Sequence, residues 1–220
     1  MRTSLSILGI ALVLVLGTAC SSDPASPITP GTTGLSLTTF DLKVGDKLVF
    51  QSTEVSFGET TVEVDTITVT TLTGTSGAQY LAFDEGLSYR MDRGILQYLS
   101  AFGLSPVAKF PSKNGDTIAT GLDTLSTSGD IDQIYARLLT TSVADTTVRS
   151  AGQNIRCGVF VFQSAPLIED GTAPVSQITA YAVSPSLGII GSYTQGWAGA
   201  STSGPPFSEE TIELIAIIRK

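Results

Sequence analysis

From Lys47 onward the apolar positions of the chain recur every second residue, in short runs separated by turn-forming residues. That period is the mark of extended strands with one face turned to a core. Lys47–Val55 makes the first run, Phe57-Gly58-Glu59 a turn, and Thr60–Leu72 a longer run rich in Thr, Val and Ile, which together predict a hairpin. In the second run Val62 and Val64 fall on one face while Ile67 and Val69 fall on the other. This slip of the alternation predicts a β-bulge at Asp65-Thr66. Gln79–Phe83, Leu87–Met91, Ile95–Phe102 and Pro106–Phe110 follow as strands, with Asp84-Glu85-Gly86 and Asp92-Arg93-Gly94 as hairpin turns.

Phe110 to Asp116 reads as a loop centred on Asn114-Gly115, and Thr117–Thr127 resumes extended chain. The pattern of the next segment supports two structures. Ile131, Ile134, Tyr135 and Leu138 would share one helical face capped by Ser128 or Asp130, whereas Tyr135–Val143 is rich in strand formers, and the strand is the favoured reading. Thr146–Ser150 leads through Ala151-Gly152 into Ile155–Gln163, where Ile155, Cys157, Val159 and Val161 share one face and Phe160 and Phe162 the other. Apolar residues on both faces predict a central strand. Val175–Val183, Ile189–Gln195 and Glu210–Ile218 complete the series, the last after a polar loop, Gly196–Ser208, that holds the only tryptophan, Trp197.

Ten or eleven strands with short connections predict an all-β fold: a single curved antiparallel sheet, half-barrel or barrel-like, with at most one short helix. The bulge and the glycines at 74, 77, 86 and 94 are the devices by which such a sheet curls. Gly45-Asp46 and Gly115-Asp116 both precede apolar runs and hint at a duplication, but strand initiation accounts for two dipeptides.

The first residues follow another rule. Arg2 precedes an almost unbroken apolar run from Leu5 to Leu16, closed by small residues before Cys20. The run is shorter than the roughly 20 residues of a spanning helix, so residues 1–19 read as a secretory signal peptide. Leu16-Gly17-Thr18-Ala19-Cys20 resembles the bacterial lipoprotein signal in its looser form, with leucine four residues before the cysteine. The resemblance implies cleavage before Cys20, diacylation of its sulfur and acylation of the new amino terminus with chains such as palmitate. An ordinary signal peptide whose cysteine later pairs is the alternative. Residues 20–36, rich in Ser, Pro, Thr and Gly, are then the lipidated cysteine and a flexible tether, and residues 37–220 the β domain. By the same resemblance Ser21 after the cysteine implies sorting to the outer membrane, with the periplasmic or surface face left open.

Composition narrows the chemistry. The net charge of −8 becomes one unit more negative once Arg2 is removed, which disfavours nucleic acid and leaves the anchor on Cys20 as the membrane attachment. There are two cysteines, so with Cys20 acylated Cys157 has no partner, and its apolar neighbours make it a small core residue. Absence of histidine excludes Ser-His-Asp and Cys-His machinery and histidine-ligated zinc. Carboxylates remain: Glu59, Glu63 and Asp65, Asp84 and Glu85, Asp130 and Asp132, Glu169 and Asp170. None has the spacing of a metal loop or a glycosidase pair, and most flank glycine turns or polar strand faces, where solvation and capping explain them. No catalytic residue and no cofactor is expected, and the chain reads as a protein other than an enzyme.

Val44-Gly45-Asp46-Lys47-Leu48-Val49-Phe50, Phe110-Pro111 with Asn114-Gly115-Asp116-Thr117, Gly152 to Cys157, and Tyr181 with Ser184-Pro185-Ser186-Leu187-Gly188-Ile189-Ile190 resemble segments of uncharacterised bacterial lipoproteins. This resemblance implies a small, strongly curved β domain similar to the half-barrel of periplasmic lipoprotein carriers, and brings no catalytic residues. Two functions fit: a lipid-anchored, non-catalytic binding module whose groove takes an apolar ligand or client, and a structural or interaction protein of an envelope complex. A solvent-open groove rimmed by Phe, Leu and Ile would favour the first; a filled core beside an exposed patch would favour the second.

Overall fold

The structure, a computed structural model, describes residues 35–36, 39–100, 103–125, 133–166, 175–198, 202 and 204–220. Cys20, Asp130, Asp132, Glu169 and Asp170 lie outside them. Twelve strands are present: β1 (Lys47–Ser56), β2 (Glu59–Thr75), β3 (Ala78–Phe83), β4 (Ser88–Asp92), β5 (Ile95–Ser100), β6 (Gly103–Lys109), β7 (Thr117–Leu125), β8 (Gln133–Ser150), β9 (Gln153–Pro166), β10 (Val175–Ser184), β11 (Gly188–Ala198) and β12 (Ser208–Ile218). Every pairing is antiparallel, and the strands form one sheet in the order β6-β5-β4-β3-β2-β1-β12-β11-β10-β9-β8-β7, curled almost into a barrel. The segment that suited either helix or strand is strand, continuous with Thr146–Ser150 in β8.

Curvature comes from bulges, but not from the one the alternation predicted. β1 and β2 pair without interruption from Lys47 opposite Thr68 to Ser56 opposite Glu59. Val62 and Val64 lie on the opposite face from Ile67 and Val69 because that face is open to solvent: each valine is 57% exposed. The slip in hydrophobicity marks a strand leaving the core. Register shifts occur instead between Val69 and Thr71 against β3, and between Thr141 and Val143 and again Val143 and Thr146 against β9.

The sheet order divides at its centre into two six-stranded meanders, β1–β6 and β7–β12, and the hint of duplication extends well beyond two dipeptides. Phe40-x-x-Lys43-x-Gly45-Asp46-x-Leu48 and Phe110-x-x-Lys113-x-Gly115-Asp116-x-Ile118 lead into β1 and β7. Both phenylalanines are buried, and both glycines have positive φ, +95° and +83°, a conformation that a side chain would strain. The hydrogen bonds repeat as well. Asp46 and Asp116 N–H each donate to the lysine carbonyl three residues earlier (3.0 Å in both), and Gly45 and Gly115 N–H donate to the carbonyls of Val69 and Thr141 (2.8 and 2.7 Å). In return Val69 and Thr141 N–H donate to the carbonyls of Asp46 and Asp116 (2.9 and 2.8 Å). The bulges that follow Val69 and Thr141 then stand at equivalent places.

The core is packed with Leu48, Val69, Leu81, Met91, Leu96, Phe160, Val183 and Leu214, each at most 2% exposed. Burial of each large aliphatic or aromatic side chain contributes about 1.5–3 kcal/mol. Gly158 lets two of the rings meet: Phe110 and Phe160 pack edge to face with centroids 5.2 Å apart, and a Cβ at 158 would lie 2.9 Å from the Phe160 ring. Two segments cross one end of the barrel. The tip of the β8–β9 hairpin passes the shorter β10–β11 hairpin to reach β12, where Ala151 N–H and Ser150 Oγ both donate to the Leu214 carbonyl (3.1 and 2.6 Å). Across the same end runs the segment before β1, with Phe40 and Leu42 buried, Phe40 N–H on Gln79 Oε1 (2.7 Å) and Asp41 N–H on the Ser186 carbonyl (2.7 Å).

Candidate functional site

Three places on the barrel hold concentrated polar chemistry or exposed apolar surface. The first is Asp46, a fully buried carboxylate. Its Oδ2 accepts from Lys43 N–H (3.0 Å) and Arg219 Nη1 (2.9 Å), and its Oδ1 from Lys220 N–H (2.9 Å). The Lys220 amide, with Arg219 and the Lys43 amide, holds its pKa below the usual 3.8 although burial pushes the other way. Arg219 also reaches the carbonyl and carboxylate of Asp41. A carboxylate that is fully buried and accepts three hydrogen bonds ties Arg219 and Lys220 to the start of the first strand. Beside it an open hollow of about 480 Å³ is lined by Leu35, Ile155, Pro185, Leu187 and Arg219 among others.

The second place is the seam. By the duplication β6 and β7 correspond to β12 and β1, yet β12 and β1 pair over ten residue pairs while β6 and β7 have no pairing among the described residues. Pro106 contributes to this, since it offers no N–H to a neighbour. Between the two edges lies a slot of about 150 Å³ lined by Leu104, Pro106, Ala119, Leu139 and Phe162. Small-molecule sites commonly measure about 300–1,000 Å³, so the slot is small for one.

The third is the arm formed by the outer halves of β1 and β2. Every residue from Glu59 to Thr66 is exposed, on both faces of the strand. At its tip Phe57 and Gly58 both have positive φ (51° and 83°), the geometry of a two-residue hairpin turn. Phe57 is 87% exposed, with its ring stacked on Phe207 at 6.0 Å. Three of the carboxylates singled out in the sequence, Glu59, Glu63 and Asp65, share one face of the arm, since they alternate along a single strand. The turn carboxylate Asp84 caps instead: its Oδ1 accepts from Thr68 N–H (2.8 Å), which lowers its pKa.

The remaining thiol is inert by position. Cys157 is fully buried, and desolvation, with the charge of Asp145 second, pushes its pKa to about 11. Among the described residues no group of three or more His, Cys, Asp or Glu side chains converges as metal donors, and no helix is long and apolar enough to cross a membrane. Sequence reading missed the role of Asp46. Its signal was the spacing shared with Asp116, extended to the phenylalanine and lysine before each.

No family model matches the chain, and no curated protein matches it either. Two solved structures are similar. A candidate exported protein with a YmcC-like fold from Bacteroides fragilis is 11% identical with a TM-score of 0.54, the match covering 85% of this chain and 100% of that one. A candidate lipoprotein from Parabacteroides distasonis is 8% identical with a TM-score of 0.52, over 84% of this chain and 99% of that one. At such identities the likeness is one of fold.

Proposed function

We propose that this chain is an exported envelope protein, anchored through acyl chains on Cys20, whose barrel is a non-catalytic module that binds a protein partner. The export and anchoring parts are supported by residues 1–20 and by the descriptions of the two similarly folded proteins, one as a candidate exported protein and the other as a candidate lipoprotein. The observation that carries the partner reading is the contrast between a barrel filled by its own side chains and an arm whose Val62, Val64 and Phe57 stand in solvent. Exposed apolar residues grouped on one element mark interaction surfaces more often than chance exposure.

Detergent partitioning tests the anchor. Wild-type protein should enter the detergent phase and the exported Cys20→Ala variant should stay in the aqueous phase; equal partitioning would sink the anchoring reading. A second reading, an apolar ligand, rests on the open hollow of about 480 Å³ with Leu35, Ile155 and Leu187 in its wall, and less on the smaller seam slot between β6 and β7. Native mass spectrometry of the purified chain separates the two: a co-purifying lipid would favour the ligand, and a bare chain the partner.

A further inference from the structure

We infer that the free edge of β2 from Glu59 to Thr66 is a docking edge for an extended segment of a partner protein that alternates basic and apolar residues and adds to the sheet as a further strand. The inference deepens the partner-binding reading and rests on it. On one side this stretch is hydrogen-bonded along its whole length to β1. On the other, pairing with β3 begins only at Val69, so along this eight-residue stretch every second residue, Thr60, Val62, Val64 and Thr66, presents its backbone donor and acceptor with no strand beside it among the described residues.

Edge strands of soluble proteins are commonly blunted by charged side chains, lysine above all, by proline, by a bulge or by a covering element. Glu59 to Thr66 contains no Lys and no Pro and its register with β1 is unbroken; its charges, Glu59, Glu63 and Asp65, are all of one sign, so they turn away an acidic strand and admit a basic one. Its exposure on both faces shows that no element among the described residues covers it. An unpaired, regular and exposed edge is the template used in strand addition, where backbone bonds supply affinity and alternate side chains supply specificity.

The side chains define the occupant. On the face continuous with Leu48 and Ile67 stand Glu59, Glu63 and Asp65, joined by Glu54, which lies opposite Thr61. On the other face stand Val62 and Val64, joined by Val55 opposite Thr60. From Leu48 to Tyr89 the sequence contains no Lys or Arg, and no ion pair engages these four carboxylates among the described residues. An added strand places its own alternate residues beside these two rows, so the complementary sequence puts Lys or Arg on one face and Val, Ile or Leu on the other. A second copy of this chain is a poor occupant. Two-fold antiparallel pairing of two β2 edges keeps each face on its own side, and brings Glu59, Glu63 and Asp65 against the same row of the partner, where like charges repel.

The experiment uses the full chain in detergent and three labelled ten-residue peptides: alternating Lys and Val, alternating Glu and Val, and the Lys and Val residues grouped in two blocks. Fluorescence anisotropy gives affinity and amide hydrogen exchange gives the site. The alternating Lys/Val peptide should bind, the Glu/Val peptide should not, the blocked peptide should bind at least about tenfold more weakly, equivalent to ~1.4 kcal/mol, and the amides of Thr60, Val62, Val64 and Thr66 should become protected. The Glu63→Lys, Asp65→Lys double variant, folded by circular dichroism, should lose about tenfold or more in affinity for the Lys/Val peptide. Equal binding of the alternating and blocked peptides, protection elsewhere, a dimer formed through this edge, or no binding up to about 1 mM would each overturn the inference. If partitioning fails to depend on Cys20 while the peptide binds at β2, anchoring falls and the docking edge stands; the converse result removes the docking edge alone.

Discussion

Asp46 and Asp116 occupy the same place in two copies of one turn and differ in what reaches them. Each accepts the amide of the lysine three residues before it, Lys43 at 3.0 Å and Lys113 at 2.8 Å. Asp46 accepts two further bonds from Arg219 and Lys220, because β12 lies against β1 and delivers the end of the chain there. Asp116 sits at the seam, where β6 and β7 have no pairing among the described residues. The buried, charge-assisted site should matter more for stability. We expect Asp46→Ala to cost about 2–4 kcal/mol and Asp116→Ala about 1 kcal/mol. Urea midpoints of the two variants check the order; equal losses would mean that the chain end contributes nothing.

The same carboxylate makes stability depend on pH. Hydrogen bonds from the Lys220 amide, Arg219 and the Lys43 amide hold the folded Asp46 below the usual 3.8, while in the unfolded chain it titrates near that value. The stabilisation is therefore present in full above the unfolded value, and is lost as pH falls through the lower, folded one. Wild type should stay level between pH 7 and about pH 5 as far as this group is concerned. Asp46→Asn should be less stable than wild type at pH 7, with the gap narrowing once the pH drops below 3.8. A gap that persists unchanged at pH 2 would show that the charge of Asp46 is not what the turn uses.

The strands and turns were legible because local chemistry carries them: at Asp92-Arg93-Gly94 both Arg93 and Gly94 have positive φ, as a two-residue hairpin turn requires, and glycine is the residue that adopts it most readily. What the sequence concealed was the partner of each face. Val62 and Val64 read as half of a bulged core strand, since period-two patterning records which residues share a face and not whether anything covers it. The bulges at Thr70 and Ser142 left no mark because their position is set by the turn that Asp46 or Asp116 pins to the neighbouring residue. Tyr135–Val143, favoured as strand over a helix that would take in Ile134, Tyr135 and Leu138, is strand, and its ladder with β9 is a contact between segments that local propensity does not contain.

Cys157 illustrates burial read correctly from neighbours. Its thiol is fully buried and pushed up to about 11 by desolvation and by Asp145, so the thiolate that reacts with maleimides is scarce at neutral pH. Labelling of native protein should be slower than that of urea-unfolded protein by a factor of about a hundred or more, since burial and the raised pKa act together. Rapid modification of the folded chain would show that the β8–β9 hairpin opens readily.

The duplication supplies a last prediction, because it shows what each position tolerates. Val69 and Thr141 are equivalent, each donating its N–H to the carbonyl of its aspartate and each almost wholly buried, at 1% exposure. The hydroxyl that distinguishes Thr141 has no hydrogen-bond partner among the described residues. A buried hydroxyl without a partner costs about 1–3 kcal/mol, and valine has nearly the same shape. Thr141→Val should therefore stabilise the protein by about 1 kcal/mol, raising the urea midpoint with the slope unchanged. Val69→Thr, placing a second such hydroxyl in the first repeat, should destabilise by a similar amount. Should Thr141→Val instead lower the midpoint, its hydroxyl has a partner, and the equivalence of the two repeats at this position would not extend to their packing.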